Sequence, residues 1–240
     1  MSAAFSMHNM CFVTGDGALL IRDSVGERAV SRLGPEFFHS PVVMASCGKQ
    51  HSACVTEDGT LWLWGSPVNA QLHRTGCLGT ADNPSDVHMR PLPSHISPGV
   101  FGASPAVMVA CGEDFTLLLT AAGKVWGCGK CMHGQLGVDP ADHRYQFGLR
   151  CIDGGSFAAA AVVMVAAGRR HSVALGADGR VWTWGKNDCG QLGLGSMADT
   201  FVPSGVAADA LGGATAVMIA AGKRGRDHVS RARQHSPGLG

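Results

Sequence analysis

The sequence predicts an all-β protein, a β-propeller made of about three to four four-stranded blades. Three observations predict this fold. One segment of the chain recurs at least three times, glycine is frequent at 34 of 240 residues, and large apolar residues stand in short runs bounded by glycine. Each glycine inside a helix costs about 1 kcal/mol, and the repeat shows no sustained period of about 3.6 residues. Short strands joined by tight turns therefore fit this chain better than helices.

The repeat aligns without gaps over residues 43–65, 107–129 and 163–185. These segments begin 64 and 56 residues apart, and a fourth opening at residues 217–222 follows 54 residues later. Units of this length with four strands each correspond to propeller blades. We therefore predict a repeat region over residues 1–222, with units near 1–42, 43–106, 107–162 and 163–216, the start of another unit at 217, and a basic tail over 223–240, disordered or a truncated or frame-shifted end.

Tryptophan and glycine occupy the same positions, or columns, in the aligned units. All five tryptophans fall in two columns: Trp62, Trp126 and Trp182 in the first, Trp64 and Trp184 in the second. Chance would not sort a rare residue in this way, so we predict structural roles for these columns. The same prediction covers the glycine columns and two polar positions: Gly48, Gly112 and Gly168; Gly59, Gly123 and Gly179; Gly65, Gly129 and Gly185; His171; and Gln191.

Each unit is predicted to contain a β-hairpin. Asp58-Gly59 and Asp178-Gly179 are hairpin signals, because glycine adopts positive φ without steric cost. The turn at 58–59 would join a strand over residues 51–56 to one over 60–65, and 171–176 and 180–185 repeat the pattern. An earlier, worn copy is visible at residues 14–17, which match 56–59 but are followed by no tryptophan.

Each hairpin is predicted to lie between an inner and an outer strand. The run before it is short, apolar and rich in small residues, as in VVMASC at 42–47, and predicts a fully buried inner strand. The fourth strand is expected in the variable region, for example around residues 199–206, where Pro203 favours an outer edge.

Composition limits the function classes. The chain is 45% apolar and 15% charged, which is typical of a folded domain. A net charge of +1 argues against nucleic acid or chromatin as a partner. We see no membrane-spanning apolar run and no secretory signal in residues 1–10. The nine cysteines are therefore expected as reduced thiols in the cytoplasm, the nucleus or both.

The repeat resembles the regulator-of-chromosome-condensation repeat. The best copy is residues 168–193, which contain Trp-Gly-Lys-Asn at 184–187 and Gly-Gln-Leu-Gly at 190–193. Copies at 112–137 and 48–72 are less complete, and the resemblance covers about residues 1–222. The resemblance implies seven blades in a complete propeller. Fewer units here predict an incomplete ring, an open arc that exposes two sheet edges.

The resemblance implies a fold more strongly than an activity. The family's namesake is a nucleotide exchange factor for the small GTPase Ran and binds chromatin, and relatives include ubiquitin ligases with a HECT domain, kinases and scaffolds. We predict a protein-interaction scaffold that binds protein partners through loops of one propeller face, at residues 67–104, 139–157 and 186–190.

Two alternatives stay open. The first is guanine-nucleotide exchange or regulation on a Ran-like small GTPase, for which residues 74–104 are the place to look for a protruding wedge. The second is a regulatory fragment of a larger ubiquitin ligase or kinase. We predict no catalytic residue, cofactor, metal or small-molecule substrate, and so no enzyme activity of the chain's own.

Two histidines could look like acid–base or metal-binding residues. His51 and His171 share one column, and Phe115 fills that column in the unit between them. A residue that phenylalanine replaces is better explained by structure than by chemistry. We therefore predict that each histidine bonds the backbone of its own blade.

Three further motifs are given structural explanations. Cys128, Cys131 and His133 form a C-x-x-C-x-H cluster, but zinc needs four ligands and no second C-x-x-C is present. We predict that both cysteines replace repeat residues. The glycine-rich run at 190–195 lacks the Lys-Ser/Thr of a phosphate loop and is expected to form turns. The tail carries Lys223, Arg224, Arg226, Arg231 and Arg233 and is expected to be a solvated end.

Overall fold

The computed structural model describes residues 2–5, 9–23, 30–65, 93–142 and 144–222, which form four antiparallel sheets of four strands in chain order. The first sheet contains β1 (Ser2–Phe5), β2 (Asn9–Val13), β3 (Leu19–Asp23) and β4 (Val30–Leu33). The second contains β5 (Val42–Cys47), β6 (His51–Thr56), β7 (Leu61–Gly65) and β8 (Ser94–Ile96). The third contains β9 (Ala106–Cys111), β10 (Phe115–Thr120), β11 (Val125–Lys130) and β12 (Tyr145–Ile152). The fourth contains β13 (Val162–Ala167), β14 (His171–Gly176), β15 (Val181–Gly185) and β16 (Thr200–Gly205). The predicted all-β architecture of four-stranded blades is confirmed.

Neighbouring blades pack face to face. The inner strands β5, β9 and β13 each contact the inner strand and the second strand of the preceding blade. The inner strands therefore gather around one axis, as in a propeller. That an open arc exposes sheet edges stays a prediction.

The inner strands are not fully buried, contrary to the sequence prediction. Val43, Val107 and Val163 are 49%, 45% and 50% exposed, although the residues around them pack into the core. Each stands where the ladder between the first and second strand shifts register. A β-bulge leaves one extra residue without a cross-strand partner, and here it turns the valine out of the interface between blades.

Each hairpin turn clasps the next blade. Gly59 has φ +80°, and a Cβ there would lie 2.4 Å from the Cβ of Pro105, just before the following inner strand. The carbonyl of Gly59 accepts a 2.9 Å bond from the N–H of Ala106, and the N–H of Ala121 in turn donates to the carbonyl of Pro105 at 2.8 Å. The positive φ and the close approach both require glycine. Equivalent clasps join the other blades through Gly17, Gly123 and Gly179.

Short helical turns precede the inner strands and support the first tryptophan column. The turns are α1 (Pro35–Phe38) and three 3-10 turns, Pro98–Phe101, Gly155–Ala159 and Ala208–Leu211. The ring of Phe38 meets Trp62 edge-on at 5.0 Å between centroids, and Phe157 meets Trp182 at 5.5 Å. No helix in the described ranges is long and apolar enough to cross a bilayer.

Candidate protein-binding face

One end of the propeller is built from turns between first and second strands and from loops between third and fourth strands. In the described ranges these are the turns at 48–50, 112–114 and 168–170 and the loops at 131–144 and 186–199. We call this end the loop face, and we call the opposite end, which carries the hairpin turns and helical turns, the turn face. The backbone N–H of Lys49 donates to the carbonyl of Glu113, and the N–H of Glu113 donates to that of Arg169, both at 3.0 Å. These bonds fix the axial part of the loop face.

The loop at 186–199 is shaped by Asn187, which is fully buried. Its Nδ2 donates to the carbonyls of Ser196 and Ala198 at 2.8 and 3.0 Å, and its Oδ1 accepts the N–H of Leu192 at 3.0 Å. The side chain thus binds both ends of the loop. The Oε1 of Gln191 accepts the N–H of Cys189 at 2.9 Å and closes the turn.

The loop that follows β11, described over residues 131–142, is organised in the same way. Gln135 accepts the N–H of His133 at 2.9 Å, as Gln191 accepts that of Cys189 in the next blade. Cys131 takes the position of Asn187, and its Sγ donates to the carbonyl of Val138 at 3.6 Å. Burial raises the pKa of the Cys131 thiol, which keeps it protonated and unreactive.

His133 leaves the cysteines and joins the neighbouring blade. Its Nδ1 lies 3.0 Å from Oδ2 of Asp199, while Oδ1 of the same carboxylate accepts the N–H of Asn187 at 2.8 Å. The C-x-x-C-x-H motif is therefore split between two interactions. Within the described ranges, no three His, Cys, Asp or Glu side chains are grouped so that they could hold a metal ion.

The His51 column packs against the glycine three residues before it. A Cβ at Gly48, Gly112 or Gly168 would lie 2.2, 1.9 or 2.0 Å from the ring of the residue three positions later. This contact explains the Gly-x-x-His spacing and why phenylalanine substitutes. The prediction that these histidines bond within their own blade was wrong for His51: its Nε2 lies 3.0 Å from the hydroxyl of Thr116, in the next blade. The Thr116 hydroxyl lies within reach of the His51 ring because β6 packs against the third blade.

A cluster of charged side chains occupies the axial part of the loop face. The carboxylate of Glu113 is 9% exposed and bonds Arg169 through Nε at 3.0 Å and Nη2 at 3.1 Å. It also accepts the Nε of Arg170 at 2.9 Å and lies 3.4 Å from the Nζ of Lys49. One buried acid therefore holds three basic side chains that are 34% to 50% exposed. The cluster presents a fixed excess of positive charge around the axis.

The Glu113 cluster predicts a pH dependence of stability. Burial alone would raise the pKa of Glu113, but the hydrogen bonds and charges of Arg169 and Arg170 outweigh it and hold the pKa at about 2. A carboxyl with a lowered pKa contributes stability above its ordinary value of 4.5, and that stability is lost as the pH falls towards 2. We expect Glu113→Gln to lower the unfolding free energy at pH 7 by roughly 2 kcal/mol.

Urea unfolding at pH 7 and at pH 3 measures this effect. The deficit of Glu113→Gln relative to the unmodified chain should shrink at pH 3, because the unfolded chain takes up a proton on Glu113 below about pH 4.5 while the native carboxylate stays largely ionised. Asp188→Asn is the control, since Asp188 is an exposed acid on the same face. A deficit that is equal at both pH values would contradict the assigned role of Glu113.

Comparison with known families identifies the family to which this chain belongs. Two family models, both described as the regulator of chromosome condensation repeat, match this chain. One matches residues 44–71, 107–135 and 162–191, and the other matches 58–119 and 178–225, so that together they cover more than half of the chain. The chain belongs to the regulator of chromosome condensation repeat family.

Curated proteins of several kinds are similar to this chain over part of their length. The ultraviolet-B receptor UVR8 of Arabidopsis thaliana is 33% identical over 163 residues, 68% of this chain and 33% of the receptor. The secretion-regulating guanine nucleotide exchange factor of Bos taurus is 34% identical over 140 residues, 58% of this chain and 26% of that protein. The chain therefore spans a third or less of these two relatives.

Solved structures support the fold. The crystal structure of Prp20p from Saccharomyces cerevisiae superposes with a TM-score of 0.72 at 20% identity, over 92% of this chain and 53% of that one. At this level of identity the likeness shows the fold alone. The chain spans about half of that solved chain.

The repeat columns lie where blades meet. Trp184 is fully buried, and its Nε1 donates to the backbone carbonyl of Gln135 in the preceding blade at 2.9 Å. The same carbonyl accepts the hydroxyl of Ser172 at 2.6 Å. The third glycine column stands opposite the ring column in the ladder, with the pairs Gly65 and His51, Gly129 and Phe115, and Gly185 and His171. In the third blade, Trp126 packs against the cluster that contains Phe101.

The three stretches predicted to bind do not share one face. Residues 139–142 and 186–190 lie on the loop face, but the β12 strand carries the chain from there to Phe157 on the turn face. Residues 93–104 belong to β8 and the turn face, and 67–92 lie outside the described residues. The loop face also exposes large apolar side chains at its rim: Met132, Tyr145, Met197 and Phe201.

Sequence reasoning did not find the Glu113 cluster. Lys49, Glu113 and Arg169 stand in one column of the repeat but carry opposite charges, so the column looked variable. The alternation of charge sign along this column was itself a usable signal. Where a column of the repeat converges on the propeller axis, the side chains of successive blades meet, so opposite charges are expected in successive units.

Proposed function

We propose that this chain is a protein-binding unit whose loop face contacts an acidic surface of a protein partner. The observation that carries the proposal is the cluster in which the buried Glu113 holds Lys49, Arg169 and Arg170 in place. Arginines that are already ordered lose less side-chain entropy when they bind a carboxylate than free ones do. Arginine, tyrosine, phenylalanine and methionine are also the residue types enriched in protein interfaces, and the rim supplies the last three.

The relatives support a binding role in general terms. The similar segments belong to proteins named as a receptor and as an exchange factor, which share the repeats and differ in activity. A common fold with different activities favours a shared scaffold that binds different partners through its loops. Location in the cytoplasm or the nucleus stays a prediction.

A triple substitution tests the loop face. We expect Glu113→Gln with Arg169→Gln and Arg170→Gln to reduce capture of the partner from cell extract by about tenfold, because removing the acid together with both arginines leaves no buried unpaired charge. Quantitative mass spectrometry of proteins captured by each variant measures the effect. Glu113→Gln alone should weaken capture less than the triple variant does, since its arginines stay charged but are no longer held in place.

Arg180→Gln is the matched control on the turn face, where Arg180 is 78% exposed. It should leave capture unchanged. Equal capture by the triple variant and the unmodified chain, at an unchanged melting temperature, would remove the loop face as the binding surface.

Guanine-nucleotide exchange on a small GTPase is the second proposal, and the similarity to the Bos taurus exchange factor favours it. The region in which to look for a wedge, residues 74–104, lies outside the described residues up to position 92. Release of labelled guanine nucleotide from Ran, with and without this chain at micromolar concentration, distinguishes exchange from binding alone. The regulatory fragment of a larger ligase or kinase also stays a prediction.

A further inference from the structure

Residues 217–222 occupy the position of a fifth inner strand. They align with residues 163–168 of the repeat, and Ile219 is 6% exposed in a cluster with Val173 and Leu175 of the fourth blade. The N–H of Ile219 points to the Sδ of Met164 at 3.5 Å, just as the N–H of Val165 points to that of Met108 at 3.4 Å. The segment therefore packs on the fourth blade as β13 packs on the third.

In the described ranges, no strand pairs with this segment along the edge that corresponds to the one where β14 pairs with β13. In the fourth blade Met164 and Ala166 pair with residues of β14, whereas the matching Met218 and Ala220 pair with no strand among the residues that the structure describes. Met218 is 60% exposed. An exposed strand edge is a template for the addition of another strand.

The ladder of the fourth blade shows which backbone groups are presented. The N–H of Gly168 donates to the carbonyl of His171, which marks a hydrogen-bonded pair. Hydrogen-bonded pairs alternate along an antiparallel ladder, so Ala166 and Met164 also direct their N–H and carbonyl groups at β14. By the repeat, Ala220 and Met218 direct theirs at the place of a fifth second strand.

A cavity lies where an aromatic side chain of that fifth blade would stand. It has a volume of about 400 Å³, and its wall includes Val181, Val206, Leu211 and Thr215. The repeat matches Val181 to Leu61 and Leu211 to Phe101, and those two residues belong to the cluster against which Trp126 of the third blade packs. Cavities of this size accept ligand groups, and an indole matches the residue that fills the equivalent place.

We propose that this end of the arc binds a β-hairpin of another polypeptide, with its first strand paired to residues 217–222 and an aromatic side chain of its second strand in the cavity. The chain itself provides the precedent. Its own hairpins pair through their first strand with an inner strand: β6–β7 with β5, β10–β11 with β9, and β14–β15 with β13. The site is separate from the loop face and does not depend on the proposed function.

A synthetic peptide that copies residues 171–185 is the probe, labelled with a fluorophore and titrated with the full chain. We expect saturable binding with a Kd on the order of 10 μM, since an isolated hairpin must order itself on binding. Trp182→Ala in the peptide should weaken binding about tenfold, because the cavity then stays unfilled. This substitution leaves the protein untouched and so tests the cavity without any effect on folding.

Ala220→Pro in the protein should also weaken binding about tenfold, because proline removes an N–H that the added strand needs. Ala220→Ser keeps the N–H and should bind as the unmodified chain does. The loop-face triple variant should bind the peptide normally, which separates a failure here from a failure of the proposed function.

Three results would overturn the proposal. The first is no binding of the peptide at about 100 μM protein. The second is binding that Trp182→Ala and Ala220→Pro both leave unchanged. The third is a dimer of the chain in sedimentation that Ala220→Pro dissociates, because the edge would then belong to a second copy.

Discussion

Replacing Gly59 by alanine should destabilise the protein by about 3 kcal/mol. The added methyl group would lie 2.4 Å from the Cβ of Pro105 and 2.9 Å from its Cα, so the blades would have to separate. The φ of +80° adds the strain of a left-handed conformation. Overpacking and backbone strain each cost about 1 to 3 kcal/mol.

Substitutions at two other glycines separate the effect of steric overlap from that of backbone strain. Gly190 has φ +71° and open space around its Cα, so Gly190→Ala should cost about 1 kcal/mol from strain alone. Gly15 has neither a positive φ nor a neighbour within 4 Å, so Gly15→Ala should change stability by less than about 0.5 kcal/mol. Urea denaturation of the three variants measures the series. A Gly59→Ala loss no larger than that of Gly190→Ala would show that the clasp between blades tolerates a methyl group.

Truncating Trp184 to alanine should cost about 4 kcal/mol. The side chain is fully buried and lies against Phe157 at 5.5 Å between ring centroids, so its removal opens a large cavity. The carbonyl of Gln135 would also lose the indole N–H, although it keeps the hydroxyl of Ser172. The substitution would therefore open a cavity between the third and fourth blades and remove one hydrogen bond that joins them.

Trp184→Phe isolates the two contributions. Phenylalanine keeps an aromatic ring against Phe157 but donates no hydrogen bond, so we expect it to recover about half of the loss. Met197→Ala is the surface control, since Met197 is 68% exposed and should tolerate the change. Thermal unfolding followed by tryptophan fluorescence and circular dichroism records the series. Near-native stability of Trp184→Ala would contradict the role of the second tryptophan column in joining blades.

The strands could be predicted from the sequence because every signal for them is local. Hairpins predicted at 51–56 with 60–65 and at 171–176 with 180–185 begin and end within one residue of the observed strands. Alternation, bounding glycines and Asp-Gly turns act over a few residues, and the repeat showed each of them several times. The outer strand predicted around 199–206 is also observed, at Thr200–Gly205.

Interactions between blades were harder to predict, since they depend on how the blades pack. Phe38, Phe101 and Phe157 support the first tryptophan column from variable connections, where their spacing differs by one residue between units. The bond between His51 and Thr116 joins residues 65 positions apart that belong to different columns. No pattern within one unit could indicate the pair of His51 and Thr116. An alignment of the phenylalanines upstream of the inner strands could have shown that Phe38, Phe101 and Phe157 are equivalent.

The backbone hydrogen bonds that join neighbouring blades at both faces affect how the protein unfolds. Since each blade is bonded to the one before and the one after, its stability resembles a sum of local terms and nearest-neighbour couplings, as in other linear arrays. Among the four described blades, the second and third each lie between two other complete blades, whereas the first and fourth each lie beside one. Amide exchange should therefore be slowest in the ladders of the second and third blades and faster in those of the first and fourth.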